Sequence, residues 1–281
     1  QPEVESMLPR RTMLGLLVLA ACAPAPEAVP PAPQSAVYTA TDFAFAGPDT
    51  LTPGMTTIQL VNQGTQPHHM IMARLDEGKT AEDMVAMFQA NPADVPTWVT
   101  WRGASGGIAP GNSSTTTADL PAGNYVLICF VPDMADGAPH FAKGMLKTVV
   151  VAGEPNTAPA PVAHMEIHLK DFAFDAPELT AGEHLIKVIN DGPQIHELEL
   201  IRLNDGVTAE QYLAAMAANP AGPPQGTSVG GSGALSMGLA NYWQVALTPG
   251  NYLFVCFVPD PADGAPHIMK GMLKAFTIPA A

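Results

Sequence analysis

The sequence predicts an all-β fold, two tandem Greek-key β-sandwiches that each carry one inserted helix. Three observations support this. First, the 281 residues include 29 Pro and 25 Gly but only 14% charged residues, whereas an average domain has about 25% charged residues and about 5% Pro. Proline removes a helix donor and clashes with the preceding turn, which excludes coiled coils and long surface helices. Second, short apolar runs alternate with polar residues between Gly/Pro turns, as half-buried strands do. Third, most of the chain occurs twice, the strongest sign of a repeated architecture.

The repeat runs the length of the unit. Asp42-Phe-Ala-Phe45 returns as Asp171-Phe-Ala-Phe174, and Asn62-Gln-Gly64 before His68 returns as Asn190-Asp-Gly192 before His196. Gly123-Asn-Tyr125 before Cys129 matches Gly250-Asn-Tyr252 before Cys256. Gly137-Ala-Pro-His140 and Lys143-Gly-Met-Leu-Lys147 match Gly264-Ala-Pro-His267 and Lys270-Gly-Met-Leu-Lys274. The offset slides only from 129 to 127 residues along the unit.

Within each unit the elements follow in order. Thr57–Asn62 and His184–Asn190 alternate, or nearly so, as strands with one buried face. Thr80 opens a helix that Asn91-Pro92 closes. Thr208 with Gln211 forms a capping box for its counterpart, which Asn219-Pro220 stops. Asn124–Val131 and Asn251–Val258 are denser in apolar residues, as central strands are. Leu146–Val151 and Leu273–Ile278 close the two units.

The N-terminus reads as an address. Arg10-Arg11 precede an apolar run from Leu14 to Ala21, which is too short to cross a bilayer core requiring about 20 residues. Leu19-Ala20-Ala21-Cys22 resembles a bacterial lipobox, with Cys22 as the lipidated residue. Arg10-Arg11 also resembles a twin-arginine export signal, and Gln1–Ser6 precede the expected start at Met7. The expected layout is a signal peptide over 1–22, a Pro/Ala-rich tether over 23–36, a first domain over 37–152, a linker over 153–163 and a second domain over 164–281.

Composition narrows the partners. With 12 basic and 26 acidic residues the formal charge is −14, so the surface repels phosphate backbones and nucleic acid is excluded as a partner. At 47% hydrophobic residues the chain can fill a core, which excludes full disorder.

One set of residues carries chemistry. In each unit the order is His, Cys, His, Met: His68, Cys129, His140 and Met145, then His196, Cys256, His267 and Met272. Two imidazoles and a thiolate with a weak axial thioether define the blue-copper electron-transfer site. His140-Phe-Ala-Lys-Gly-Met145 and His267-Ile-Met-Lys-Gly-Met272, with the Asn-to-His approach before them, resemble the cupredoxins, the plastocyanin-like blue-copper family. The resemblance covers both units. It implies cupredoxin-like sandwiches, one copper per domain, and these four residues of each unit as its ligands.

One departure stands out. Members of that family place only a few residues between Cys and the second His, whereas ten intervene in both units here. Such a turn-rich excursion either returns the His to the thiolate or carries it away. The simpler readings are a buried Cys acting as a small hydrophobe and a Met filling the core. A Cys129–Cys256 disulfide is a further alternative, but it requires central strands of the two sandwiches to meet. His69, opposite Glu197 in the repeat, reads as a surface residue or spare ligand. His164, His168 and His184 have no counterparts and read as ordinary.

The functional expectation is a lipid-anchored periplasmic copper protein that passes electrons to a periplasmic redox protein or membrane complex. Asp133, Asp136, Asp260 and Asp263 are expected to steer a basic partner. The alternatives are a copper-free accessory subunit on a respiratory or photosynthetic membrane complex and, last, copper storage or delivery. No enzyme is expected. Multicopper oxidases and copper nitrite reductases share the family's fold but need further ligands, and the chain has no His-x-His and no His beside either Cys.

Overall fold

A computed structural model describes residues 30–91, 94–219, 222 and 224–280, together with Pro2. The expected signal peptide, Cys22, most of the tether, Pro92 and Pro220 lie outside the described residues. No helix among the described residues is long and apolar enough to cross a membrane.

The first half contains β1 (Gln34–Thr41), β2 (Ala44–Ala46), β3 (Thr50–Leu51), β4 (Gly54–Asn62), β5 (His68–Leu75), α1 (Ala81–Ala90), β6 (Val99–Ile108), β7 (Ser113–Leu120), β8 (Gly123–Ile128) and β9 (Leu146–Val151). The second half repeats this order without a counterpart of the short β3. Its elements are β10 (Met165–Lys170), β11 (Ala173–Asp175), β12 (Gly182–Asn190), β13 (His196–Leu203), α2 (Ala209–Ala218), β14 (Gly226–Leu235), β15 (Ala240–Leu247), β16 (Gly250–Val255) and β17 (Leu273–Ile278). The fold is a two-layer β-sandwich built of two similar halves, with one helix inserted in each.

The boundary between the halves differs from a simple tandem. Both layers run through it, as an eight-stranded sheet ordered β11-β10-β12-β15-β7-β4-β1-β2 and a nine-stranded sheet ordered β17-β16-β13-β14-β6-β5-β8-β9-β3. The joining registers are symmetric. β6 and β14 pair antiparallel with Ser105 opposite Ser232, Ile108 opposite Val229 and Arg102 opposite Leu235. β7 and β15 pair with Thr116 opposite Trp243. Each half therefore covers an edge strand of the other that would otherwise expose unpaired backbone groups.

Two cores lie between the layers. One is built on Tyr38, Leu60, Met72, Leu127 and Cys129, the other on Leu169, Val188, Leu200, Phe254 and Cys256. The outer face of the nine-stranded sheet is buried as well, under Met84 and Phe88 of α1 and Tyr212 of α2. That double burial explains the dense apolar runs of β8 and β16, where alternation gives way. In both, a tyrosine fixes the approach to Cys: Tyr125 donates to the carbonyl of Pro121 (2.7 Å) and Tyr252 to that of Thr248 (2.9 Å).

Both helices begin in capping boxes, Thr80 with Asp83 and Thr208 with Gln211. Two details bear on the expected segment boundaries. Gln34 to Ala36, assigned to the tether, form the start of β1 because they pair parallel with Thr56 to Ile58. In the linker, the Asn156 side chain donates to the carbonyls of Pro53 (3.0 Å) and Met55 (3.2 Å), which pins the segment to the first half.

Candidate metal centres

The first histidine of each set is delivered by a turn built on a buried asparagine. The Asn62 side-chain amide donates to the carbonyls of Gln66 (2.8 Å) and Ile108 (2.9 Å) while its oxygen accepts from Gly64 N–H (2.9 Å). Asn190 does the same with Gln194, Leu235 and Gly192. A side chain at Gly64 or Gly192 would strike the His–Asp pair behind it: an added Cβ would sit 2.6 Å from His68 Nε2 or 2.8 Å from His196 Nε2. This close approach accounts for the glycine in the Asn-x-Gly-x-x-x-His pattern.

The ten-residue excursion returns. Pro132 bridges Pro139, Asp133 N–H donates to Ala138 O (2.8 Å), and His140 N–H donates to Val131 O (2.9 Å). Phe141 N–H then bonds Cys129 O (2.8 Å), which sets His140 back over the thiol. The second half closes through the matching bonds Asp260 N–H to Ala265 O (2.9 Å) and His267 N–H to Val258 O (2.9 Å).

The structure thus brings together His68, Cys129 and His140, and separately His196, Cys256 and His267, with donor atoms of each set within 4.8 Å of one another. His68 Nδ1 lies 3.0 Å from His140 Nδ1, and Cys129 Sγ lies 3.5 Å from the same nitrogen. In the second set the distances are 3.1 and 3.5 Å. Met145 and Met272 are fully buried, and Met145 O accepts from Cys129 N–H (3.3 Å). Both cysteines are free thiols in separate cores, so the disulfide alternative does not hold.

Sequence reasoning missed the partners of these histidines. Asp42 Oδ1 lies 3.0 Å from His68 Nε2, and Asp171 Oδ1 lies 2.7 Å from His196 Nε2. Burial opposes ionisation of Asp42, yet hydrogen bonds from Thr65 and His68 hold its pKa below the ordinary value. A carboxylate at Nε2 accepts a hydrogen bond from the ring N–H and leaves Nδ1, which faces Nδ1 of the second histidine, as a lone pair. The next residues, Phe43 and Phe172, take left-handed backbone angles (φ 70° and 51°). Their rings meet His140 and His267 edge-on, at 5.2 and 5.0 Å between centroids. The repeated Asp-Phe-Ala-Phe motif was the visible signal for both contacts.

Burial sets the protonation of the two sets. It pushes the Cys129 thiol up to about 12 and Cys256 well above its usual value. Burial, then the neighbouring first histidine, brings His140 and His267 down to about 4. At neutral pH each set therefore offers two neutral imidazoles and one thiol. This soft, nitrogen-and-sulfur donor set fits copper, with His68, Cys129 and His140 as the residues to hold it in the first half and His196, Cys256 and His267 in the second.

Two expectations change. The aspartates of the excursion loops are not a free acidic patch: Asp133 and Asp260 are only 2% and 4% exposed. Lys143 bridges Asp133 and Asp136, and Lys270 bridges Asp260 (2.5 Å) and Asp263 (2.9 Å). Each lysine offsets one of the two carboxylates of its loop, and the Asp136 and Asp263 side chains stay 54% and 55% exposed. His69, expected as a surface residue or a spare ligand, is buried at the boundary with Glu197 and Glu199. Its Nε2 accepts from Phe130 N–H (2.6 Å), so the proton sits on Nδ1, which faces Glu199 Oε1 at 3.9 Å. At 3.9 Å this is no hydrogen bond, and His69, Glu197 and Glu199 form a buried polar trio between the halves with donor atoms within 4.8 Å of one another. Glu197 Oε1 accepts from Phe257 N–H (2.8 Å), the counterpart of the Phe130 contact. Burial, then repulsion from Glu197, raises Glu199 well above the ordinary carboxylate range.

No family model matches the chain, and no curated protein does. Solved structures do. Auracyanin A, a "blue" copper protein from Chloroflexus aurantiacus, is 24% identical over 43% of this chain and 100% of its own, with a TM-score of 0.32. A copper-containing nitrite reductase from Thermus scotoductus is 13% identical over 87% of this chain and 61% of its own (TM-score 0.24). A blue copper oxidase from Nitrosomonas europaea is 15% identical over 88% of this chain and 86% of its own (TM-score 0.26). Likenesses at this identity concern the fold alone. The protein is a cupredoxin-like, two-domain β-sandwich with two copper-type His/Cys/His sets. The expectation that it is not an enzyme is corrected: the solved structures it is similar to include a copper-containing nitrite reductase and oxidases.

Proposed function

We propose that the protein is a two-centre blue-copper electron carrier, with one copper in each half, held on the periplasmic face of a bacterial membrane through lipidated Cys22. The observation that carries this reading is the return of the ten-residue excursion. It sets His140 Nδ1 3.5 Å from Cys129 Sγ, and the second half repeats the contact. Met145 and Met272, buried in the same cores as these cysteines, would offer each copper a weak thioether ligand. Bound copper would supply a one-electron couple. The chain's part is to keep the donors fixed in a dry core, so that little rearranges when the electron moves.

The anchoring part of the proposal rests on the lipobox-like Leu19-Ala20-Ala21-Cys22 and the Pro/Ala run after it. The partner is a periplasmic redox protein or the exposed part of a membrane redox complex.

The test is stopped-flow redox cycling of copper-loaded protein. Ascorbate should bleach a blue band, and a soluble cytochrome should restore it within the mixing experiment. A colourless protein that exchanges no electrons would overturn the reading in favour of a copper-free accessory subunit. For the anchor, Cys22→Ala should move the protein from the membrane to the soluble fraction.

A further inference from the structure

The two sets share all their proposed ligands but not the surroundings of the second histidine. In the second half, His267 Nε2 meets Gln194 Oε1 at 3.0 Å. In the first half, His140 Nε2 is buried without a hydrogen-bond partner. The corresponding glutamine, Gln66, is present but turned away. Its Oε1 accepts from Met134 N–H (2.8 Å) and its Nε2 donates to Asp133 Oδ1 (3.0 Å).

The sequence supplies the cause. Asp133-Met134-Ala135-Asp136 aligns with Asp260-Pro261-Ala262-Asp263. Proline has no backbone N–H, so nothing at position 261 can hold the glutamine oxygen as Met134 does. Released from the loop, Gln194 accepts from the imidazole instead. The loop itself is otherwise alike in both halves: Asp133 Oδ1 accepts from Ala135 N–H (3.0 Å) and Asp260 Oδ1 from Ala262 N–H (2.9 Å).

We infer that Gln194 is a positioning residue for His267, that the Met134/Pro261 difference withholds the same service from His140, and that the two metal centres are inequivalent for this reason. An imidazole that donates its Nε2–H is fixed in one tautomer and orientation and is the stronger donor through Nδ1. Stronger donation favours oxidised copper, so the second centre has the lower reduction potential and an electron shared by the two rests on the first. The potential difference rests on the copper reading proposed above; the glutamine switch does not.

The experiment has a metal-free arm and a copper arm. In the metal-free full-length chain, nitrogen-15 NMR should show His267 as the Nε2–H tautomer with a slowly exchanging ring proton, and His140 without that protection. Gln194→Leu should remove the signature at His267. Met134→Pro should create it at His140, and Pro261→Met should erase it at His267, so a folding failure in one variant leaves the other decisive. In the copper-loaded chain, Gln194→Leu should raise the second potential towards the first and Met134→Pro should lower the first. Identical ring signatures in the two halves, unmoved by either proline swap in folded protein, would overturn the inference. Ring signatures as described in a protein that takes up no copper would instead remove only the copper reading.

Discussion

Asp42 holds His68 from behind: its Oδ1 lies 3.0 Å from the Nε2 that faces away from the thiol. Asp171 and His196 repeat the contact at 2.7 Å. Losing such an outer partner typically costs about 10–100-fold in metal affinity. Asp42→Ala should therefore weaken copper binding in the first half by roughly that factor, while Asp42→Asn, which keeps an oxygen at the same place, should recover most of it. Competition against a chelator of known affinity measures both.

Copper uptake should release a proton from each thiol. Burial pushes the Cys129 thiol up to about 12, whereas His140, at about 4, is already neutral at pH 7. Only the thiol has a proton to lose, so affinity should rise with pH, about tenfold per unit through the neutral range. A pH-stat titration at pH 7 should record one proton per copper. Release of none would mean that the thiol is not a ligand.

The excursion loop carries its own acid sensitivity. Hydrogen bonding from Lys143 holds Asp133 down to about 2. A carboxyl whose pKa is lowered on folding stabilises the fold above its unfolded value, near 4, and that stabilisation fades as pH falls through about 2. Lys143→Met should shrink this part of the acid dependence, leaving the share that the Ala135 and Gln66 hydrogen bonds supply. Urea midpoints of the two proteins should differ at pH 7 and converge towards pH 2.

His69 is held within the first half by Phe130 and faces Glu199 of the second half. His69→Ala would leave the Phe130 N–H without its acceptor, at a cost of about 1–3 kcal/mol. Chemical denaturation should show that loss with the copper spectrum of the second half unchanged. If stability does not change, the Phe130–His69 hydrogen bond does not support the fold.

Much of the fold could be read in the residues, because repetition and local chemistry are local signals. Thr80 and Thr208 announced their helices, and the His–Cys–His–Met order marked the two centres. What escaped depends on which chain segments meet. Nothing in β6 or β14 alone indicates that Ser105 faces Ser232 across a continuous sheet. Asp133 looked like solvent-facing charge until Lys143 folded over it, and His69 looked like surface until Glu199 crossed from the other half. Asp42 was visible as a repeated letter, but its role needed the distance to His68.

The most direct measurement is the copper content and visible spectrum of purified, oxidised protein, taken with its two cysteine variants. The account predicts two coppers per chain and an intense blue thiolate-to-copper band. Cys129→Ala and Cys256→Ala should each remove one copper and one share of the band. A protein that takes up no copper and stays colourless with both thiols free would contradict it.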